Sequence, residues 1–193
     1  MGKLFYIMGK SASGKDTIYQ RLLRNPEFSL ERLVIYTTRP IRDGELDGRE
    51  YHFVTEEDFQ KLKAERKIIE DRGYETVYGL WRYFTADNMN LEEKNYLGIG
   101  TLESYEKLKA YYGEEKIRPI YIEVEDGERL SRALNRERMQ ESPKYEELCR
   151  RFLSDAKDFS GEKLKEAGIT RRFVNQDLDE TEEEIRRAIL EDR

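Results

Sequence analysis

The opening of the chain constrains its fold more than any other part. Residues 3–8 are mostly apolar and rich in Phe, Tyr and Ile, which predicts a buried strand. A loop rich in Gly and Ser follows, and Ile18, Leu22 and Leu23 then recur at helical spacing. A strand, a glycine-rich turn and a helix in this order are typical of a phosphate-binding loop. Inward-facing backbone N–H groups and the positive end of the helix dipole both favour a bound anion there.

The loop has the spacing Gly-x4-Gly-Lys, with Gly9, Gly14 and Lys15 at the defining positions. Lys15 is expected to reach the β- and γ-phosphates of a nucleotide. The pattern normally continues with Ser or Thr, whereas here Asp16 and then Thr17 follow. An ordinary glycine-rich strand-to-helix turn is the alternative interpretation. The loop residues predicted to hold the nucleotide are Gly9, Ser11, Ser13, Gly14, Lys15, Asp16 and Thr17.

Composition limits the partners and the chemistry. A chain of 193 residues with 39% charged residues and a net charge of −6 suits one well-solvated domain, and its acidity argues against a nucleic-acid partner. One cysteine, Cys149, excludes an internal disulfide and a cysteine-based zinc site, and one histidine, His52, excludes a histidine cluster. No signal peptide or membrane span is recognisable. We therefore expect a cytoplasmic monomer or homodimer with no membrane partner.

Strand and helix patterns alternate at both ends of the chain, and a β-rich segment interrupts them. This order predicts one α/β domain whose core, residues 1–35 and 95–193, is a parallel sheet flanked by helices. A small β-rich lobe is inserted over about residues 36–94. Within these units we expect a second strand at 33–36 and a turn at Arg72-Gly73 between two short strands. We also expect a helix from Leu102 to about Tyr112 with Thr101 as its cap, and a terminal helix that begins at Thr181.

The segment from Thr37 to Phe53 reads Thr-Thr-Arg-Pro-x-Arg-x-Gly-Glu-x-x-Gly-x-x-Tyr-x-Phe and resembles the guanylate kinase family. The match continues through Ile69-Glu70 and Tyr78-Gly79 and ends at Val174-Asn175-x-Asp177-Leu178, so it covers essentially the whole chain in the family's order. The resemblance implies a P-loop kinase core, an acceptor-binding lobe and a helical lid over about residues 132–155. It also implies ATP and Mg²⁺ as cofactors.

Two arginines in this segment are suited to binding a phosphate monoester. Arg39 and Arg42 flank Pro40, which stiffens the turn, and their guanidinium groups could act together with phenol donors. The alternative interpretation makes these arginines surface ion-pair partners of Asp43, Glu45 or Asp47. The resemblance implies an acceptor site made of Arg39, Arg42, Glu45, Tyr51, Glu70 and Tyr78.

Glu70 should lie at the end of a strand in the inserted lobe. A carboxylate can accept two parallel hydrogen bonds, and guanine offers such a pair from N1–H and its 2-amino group. The matching Glu of the family binds guanine in this way, and a solvated strand-end carboxylate is the alternative. The chain departs from the family at other base contacts. It carries Ile35-Tyr36 and Leu80-Trp81 where hydroxyl residues are usual, and Gly98 and Gly100 where two Asp residues are usual.

Arginines at helical spacing predict the lid. Arg132 and Arg136 fall on one helix face, and Arg151 follows on the next helix. In guanylate kinases such arginines close over ATP and stabilise the charge on the transferred phosphoryl group. Arg138 or Arg150 could take these places, and a solvated helix face is the alternative. The resemblance implies Lys15, Arg39, Arg136 and Arg151 as catalytic residues, and it adds Arg132, Arg136 and Asn175 to the ATP site.

The absence of acidic side chains at Gly98 and Gly100 suggests a different magnesium ligand. Mg²⁺ needs carboxylate or hydroxyl support near the nucleotide phosphates, so we hypothesise that Asp16 supplies it, with capping of the helix dipole as the alternative. The most favoured activity is phosphorylation of a nucleoside monophosphate, GMP, by ATP. Two alternatives stay open: a kinase similar to ribose bisphosphate kinases of phosphonate metabolism, and a non-catalytic guanylate kinase-like interaction module.

Overall fold

The computed structural model describes residues 2–76 and 79–192, which form two sheets and the helices packed around them. In chain order the elements are β1 (Leu4–Met8), α1 (Lys15–Arg24), β2 (Leu30–Arg32), β3 (Tyr36–Thr37), β4 (His52–Phe53), α2 (Glu56–Ala64), β5 (Ile68–Thr76), β6 (Gly79–Ala86), β7 (Asn95–Ile99), α3 (Leu102–Tyr112), β8 (Ile117–Glu123), α4 (Asp126–Arg138), α5 (Tyr145–Asp158), α6 (Gly161–Glu166), β9 (Arg172–Val174) and α7 (Leu178–Glu191).

The larger sheet is parallel, with five strands in the order β2-β7-β1-β8-β9. Strand β1 lies at its centre, and its side chains alternate between two buried layers. Leu4, Tyr6 and Met8 pack with residues of α3 and α6, whereas Phe5 and Ile7 pack with residues of α1 and α7. Helices therefore cover both faces of this sheet, and the phosphate-binding loop lies at the carboxyl end of its central strand. The predicted α/β class with a parallel, helix-flanked sheet is confirmed.

The smaller sheet comes from the segment between β2 and β7, in the order β4-β3-β6-β5. A separate apolar cluster of Phe59, Phe84 and Ala86 supports it. Strand β5 continues through Arg72 and Gly73 to Thr76 and pairs in antiparallel fashion with β6, so the predicted turn at Arg72-Gly73 is wrong. Each of these residues pairs across the ladder, Arg72 with Tyr83 and Gly73 with Arg82, and these pairs keep the strand extended despite the glycine.

Two other expectations shift in the structure. The second strand of the large sheet is Leu30–Arg32 rather than 33–36, and Tyr36 instead joins the smaller sheet. The terminal helix begins at Leu178, because the Asp177 carboxylate accepts hydrogen bonds from the N–H groups of Asp179 and Glu180. Helix α6 is not anticipated by the sequence analysis. By contrast, α3 and its cap at Thr101 lie where they are predicted. Among the described residues, no helix is both long enough and apolar enough to span a membrane.

Candidate active site

The phosphate-binding loop is held from behind by Asn175, at the end of β9. Its side-chain amide donates to the backbone carbonyl of Ser13 at 2.8 Å. Gly14 adopts a left-handed conformation, with φ of 84°, and a Cβ there would lie closer than 3.0 Å to the Asn175 amide nitrogen. Both the backbone conformation and the space therefore require glycine at this position. Asn175, predicted as an ATP contact, is buried and supports the loop in this structure.

Polar groups of the loop are arranged to receive a ligand. The hydroxyl of Ser13 is buried and has no hydrogen-bond partner among residues 2–76 and 79–192. The ammonium group of Lys15, at the start of α1, lies 3.1 Å from the carboxylate of Asp16, whose side chain is mostly exposed. Thr17 is also exposed. An unpaired buried hydroxyl, a lysine and a helix N-terminus together suit the phosphates of a nucleotide.

An ionic cluster centred on the buried Arg129 joins this loop to the lid helices. Asp155, on α5, accepts a hydrogen bond from the backbone N–H of Ser11 at 2.8 Å. Arg129, on α4 and 1% exposed, donates to Asp155, to Asp126 and to the carbonyl oxygen of Ser11. Lys10 completes the cluster by donating to Asp126 at 3.0 Å. Both backbone polar groups of Ser11 are thus held by side chains of the two helices predicted to form the lid.

The lid arginines divide among three cavities. Arg132 donates to Glu128 and to the carbonyl of Asn175, and it lines a cavity of about 290 Å³ beside α4 and β9. Arg136 lines a narrow cavity between α4, α5 and Ser11. Arg151 lines that narrow cavity and also the large cleft described next. The alternatives Arg138 and Arg150 do not line these cavities.

A cleft of about 830 Å³ opens between the large sheet, the smaller sheet and α5. Its lining residues come from all three parts: Ile35, Arg42, Tyr51, Arg72, Tyr74, Trp81, Tyr83, Ile99, Gly100, Glu147 and Arg151. Two of the predicted acceptor residues, Arg42 and Tyr51, are among them, together with the predicted lid residue Arg151. The cleft combines cations with aromatic walls, which suits an anionic, planar ligand. Tyr78, also predicted to bind the acceptor, lies outside the described residues.

Arg39 is directed at Glu45. The two side chains form a bidentate ion pair at 2.8 and 2.6 Å, and Glu45 also accepts from the backbone N–H of Arg42. The Arg39 guanidinium lies over the rings of Tyr51 and Phe53, and Glu45 raises its pKa. In return, the hydrogen bonds from Arg39 lower the pKa of Glu45 to about 2. The alternative interpretation of the sequence, in which Arg39 forms an ion pair, includes Glu45 as a partner. The role of Arg39 and Glu45 in acceptor binding stays a prediction.

Glu70 is deeply buried and paired, not a solvated strand-end carboxylate. Its Oε1 accepts a hydrogen bond from the hydroxyl of Thr85 at 2.8 Å, and its Oε2 lies 3.2 Å from Nε of Arg72. The side chain of Glu70 is 1% exposed, whereas that of Arg72 is 26% exposed and reaches the cleft. The carboxylate of Glu70 is therefore buried next to a guanidinium group that lines the cleft, and Glu70 is not itself among the lining residues.

Gly98 in β7 and Gly100 just after it make room for Tyr6. The parallel register sets Tyr6 beside Gly98, and a Cβ on Gly98 would lie 2.6 Å from the Tyr6 ring. A Cβ on Gly100 would lie closer than 3.0 Å to the Tyr6 hydroxyl, which is hydrogen-bonded to Ser104 at 2.8 Å. Burial raises the pKa of Tyr6 to about 12, with a smaller contribution from nearby Glu70. A phenol thus fills the space where acidic side chains on this strand would otherwise lie.

Several cleft residues are missing from the sequence-based prediction. Arg72 and Tyr74 follow Glu70 at alternate positions of β5, and Trp81 and Tyr83 face them from β6. The alternation was available as a signal, because side chains two residues apart on a strand share one face. Placing a turn at Arg72-Gly73 removes that signal, since a turn has no such alternation.

Comparisons with known proteins identify the family and the fold of this chain. The family model described as guanylate kinase matches residues 1–192. The guanylate kinase of Porphyromonas gingivalis is 31% identical over 197 residues, covering 99% of this chain and 98% of that protein. The guanylate kinase of Wolbachia pipientis is 30% identical and covers 100% of this chain and 91% of that protein. A crystal structure of guanylate kinase from Anaplasma phagocytophilum superimposes with a TM-score of 0.65 at 21% identity, over 98% of this chain and 85% of that one.

Proposed function

Because this chain belongs to the guanylate kinase family, we propose that it transfers the γ-phosphoryl group of ATP to GMP, giving GDP and ADP. It is a nucleotide kinase by family, and GMP as the acceptor is the finer part of the proposal. The comparisons give no support to the two alternatives, a ribose bisphosphate kinase and a non-catalytic module.

The position of Arg151 is the observation that carries the proposal. This side chain lines both the acceptor cleft, with Arg42 and Gly100, and the narrow cavity beside Ser11 of the phosphate-binding loop. A guanidinium group between the two sites can neutralise the charge that builds up on a phosphoryl group passing from one to the other. Its ion pair with Glu147, at 2.9 Å, is exposed and therefore cheap to exchange for a phosphate.

The residues support a direct, in-line transfer. A phosphate oxygen of the acceptor is already anionic and attacks the γ-phosphorus, while the bond to the ADP oxygen breaks, so no general base is needed. Arg42 and Tyr51 hold the acceptor phosphate, and Arg39 with Glu45 fixes the turn that carries Arg42 and contributes to the same site. Lys15, Arg136 and Arg151 neutralise the transferred group. Closure of the lobe and lid excludes water, which would otherwise accept the phosphoryl group.

The residues of the loop also fit a magnesium ion that enters with the nucleotide. Asp16 offers an exposed carboxylate at the start of α1, and Mg²⁺ is commonly held by one or two carboxylates plus phosphates and water. No group of three or more His, Cys, Asp or Glu side chains within the described ranges could hold a metal by itself. When bound, Mg²⁺ would neutralise charge on the β- and γ-phosphates.

The test is a coupled assay of ADP release with ATP and Mg²⁺ against GMP, dGMP, IMP, AMP, CMP and UMP, with an ATP-only reaction as the blank. We expect turnover with GMP at least about a hundredfold above that with AMP, because the two bases present opposite hydrogen-bonding groups to a carboxylate. Lys15→Met should abolish turnover, whereas Lys67→Met, which alters an exposed ion pair with Glu65, should not. Turnover with another acceptor but not with GMP would overturn the proposal.

A further inference from the structure

Arg72 is the cation that pairs with the buried carboxylate of Glu70. The two residues are two positions apart on β5, and Nη2 of Arg72 lies 3.5 Å from Oε1 of Glu70. Its Nε lies 3.2 Å from the other carboxylate oxygen, yet this atom is buried and has no hydrogen-bond partner in the part of the chain that the structure describes. The Arg72 side chain is nevertheless 26% exposed, so a guanidinium group that Glu70 holds in place can still donate to a ligand.

The location of Arg72 indicates which ligand its exposed part would contact. Arg72 lines the acceptor cleft together with Gly100 and Ile35, and Glu70 lies directly behind it. Arg42 and Tyr51 line the same cleft. An acceptor whose phosphate is bound by Arg42 and Tyr51 could therefore present its other end to Arg72 and Glu70.

We propose that Arg72 determines acceptor specificity by donating a hydrogen bond to O6 of guanine, while Glu70 accepts hydrogen bonds from N1–H and the 2-amino group. The inference rests on the proposed function. Guanine presents an acceptor followed by two donors along one edge, and a guanidinium group beside a carboxylate presents the complementary order. Adenine presents an amino group where guanine has O6 and an acceptor where guanine has N1–H, so both of its contacts would be repulsive.

This assignment also agrees with the side chains that stand at or near the family's other base-contact positions. Ile35 and Leu80, at positions where hydroxyl residues are usual in the family, have no side-chain donor to offer to O6. Tyr6 has a hydroxyl, but it is buried and hydrogen-bonded to Ser104. Arg72 is therefore the cationic donor adjacent to Glu70 that also reaches the cleft.

Steady-state kinetics with GMP, IMP and AMP test the proposal on Arg72→Met, Arg72→Lys and the control Lys67→Met. We expect Arg72→Met to lower kcat/KM for GMP by about tenfold to a hundredfold, the usual contribution of a hydrogen bond to a charged group. IMP keeps O6 and N1–H but lacks the 2-amino group, so Arg72→Met should lower kcat/KM for IMP by the same factor. Arg72→Met should leave kcat/KM for AMP unchanged, so the preference for GMP over AMP should fall. Arg72→Lys keeps the charge and should retain part of the preference.

The outcomes separate the two proposals. If the wild-type protein phosphorylates GMP and Arg72→Met lowers GMP and AMP turnover equally, Arg72 is structural and the inference is wrong. If the wild-type protein does not phosphorylate GMP, the proposed function itself is wrong. Glu70→Gln gives an independent check. This variant should lower kcat/KM more for GMP than for IMP, because IMP lacks the 2-amino group that Glu70 binds. If Arg72→Met does not fold, Arg72→Lys takes its place. An unchanged ratio of kcat/KM for GMP to kcat/KM for AMP in Arg72→Lys would then overturn the inference.

Discussion

Asp155 and Ser11 are 144 residues apart in the chain, and the carboxylate of the first accepts a hydrogen bond from the backbone N–H of the second at 2.8 Å. Arg129 donates to both Asp155 and the Ser11 carbonyl, and its guanidinium lies 4.1 Å from the ring centre of Phe152. The two peptide units that flank Ser11 in the phosphate-binding loop are thereby fixed to α4 and α5. Since Arg136 and Arg151 are on these same helices, the cluster also fixes the lid arginines relative to the loop.

Removing Asp155 should therefore weaken both the fold and the binding of ATP. Asp155→Ala leaves the Ser11 N–H without its acceptor and deprives buried Arg129 of a carboxylate, which should lower the free energy of unfolding by about 3 kcal/mol. The affinity for a non-hydrolysable ATP analogue should fall by about tenfold. Urea denaturation and calorimetry measure the two effects.

The matched control is Arg21→Met, which breaks an exposed pair with Asp179 and Glu182. It should change the free energy of unfolding by less than about 1 kcal/mol and leave ATP binding intact. A variant at Asp155 that behaves like this control would show that the ionic cluster does not support the loop.

Gly100 should not tolerate a side chain while Tyr6 keeps its hydroxyl. Gly100→Ala puts a methyl group into space occupied by that hydroxyl, and overpacking of this kind should lower the free energy of unfolding by about 2 kcal/mol. Tyr6→Phe removes the closest clashing atom, so the double variant should be more stable than the sum of the single effects predicts. A double-mutant cycle by urea denaturation measures this coupling, and strict additivity would contradict the packing argument.

The Arg39–Glu45 pair should make stability depend on pH in the acid range. Arg39 lowers the pKa of Glu45 from 4.5 to about 2, so the ionised carboxylate favours the folded state. That contribution is fully present above about pH 4.5 and is lost as the pH falls toward about 2. The stability difference between wild type and Glu45→Gln should thus be constant between about pH 7 and 5 and shrink below that range. A difference that does not change with pH would rule out the ion pair as its source.

Asp16 should determine how the enzyme responds to magnesium. If its carboxylate helps to hold Mg²⁺ beside the nucleotide phosphates, Asp16→Ser should raise the Mg²⁺ concentration for half-maximal activity by about tenfold. Asp179→Ser, an exposed acidic residue near the start of α7, serves as the control. An unchanged magnesium titration for Asp16→Ser would assign this residue to the helix dipole alone.

Local patterns were sufficient for the main frame of the protein. Glycines at fixed spacing identify the phosphate-binding loop, and Thr101 identifies the start of α3, because each depends on residues that are neighbours in the chain. The segment from Thr37 to Phe53 likewise carries the family resemblance by itself. The strand through Arg72 was missed, since local sequence favours a turn at glycine and only pairing with β6 keeps β5 extended.

By itself, the sequence determined the α/β class, the nucleotide loop and the family, because all three can be recognised from motifs of residues that are neighbours in the chain. Only the tertiary structure decided which side chains share a site. Tyr6 and Ser104 are 98 residues apart in the chain, and Ser11 and Asp155 are 144 residues apart. No sequence spacing predicts that either pair is in contact. Burial then determines which hydrogen bonds such groups form. A polar atom removed from water needs a partner, and only the fold decides which group lies within hydrogen-bonding distance.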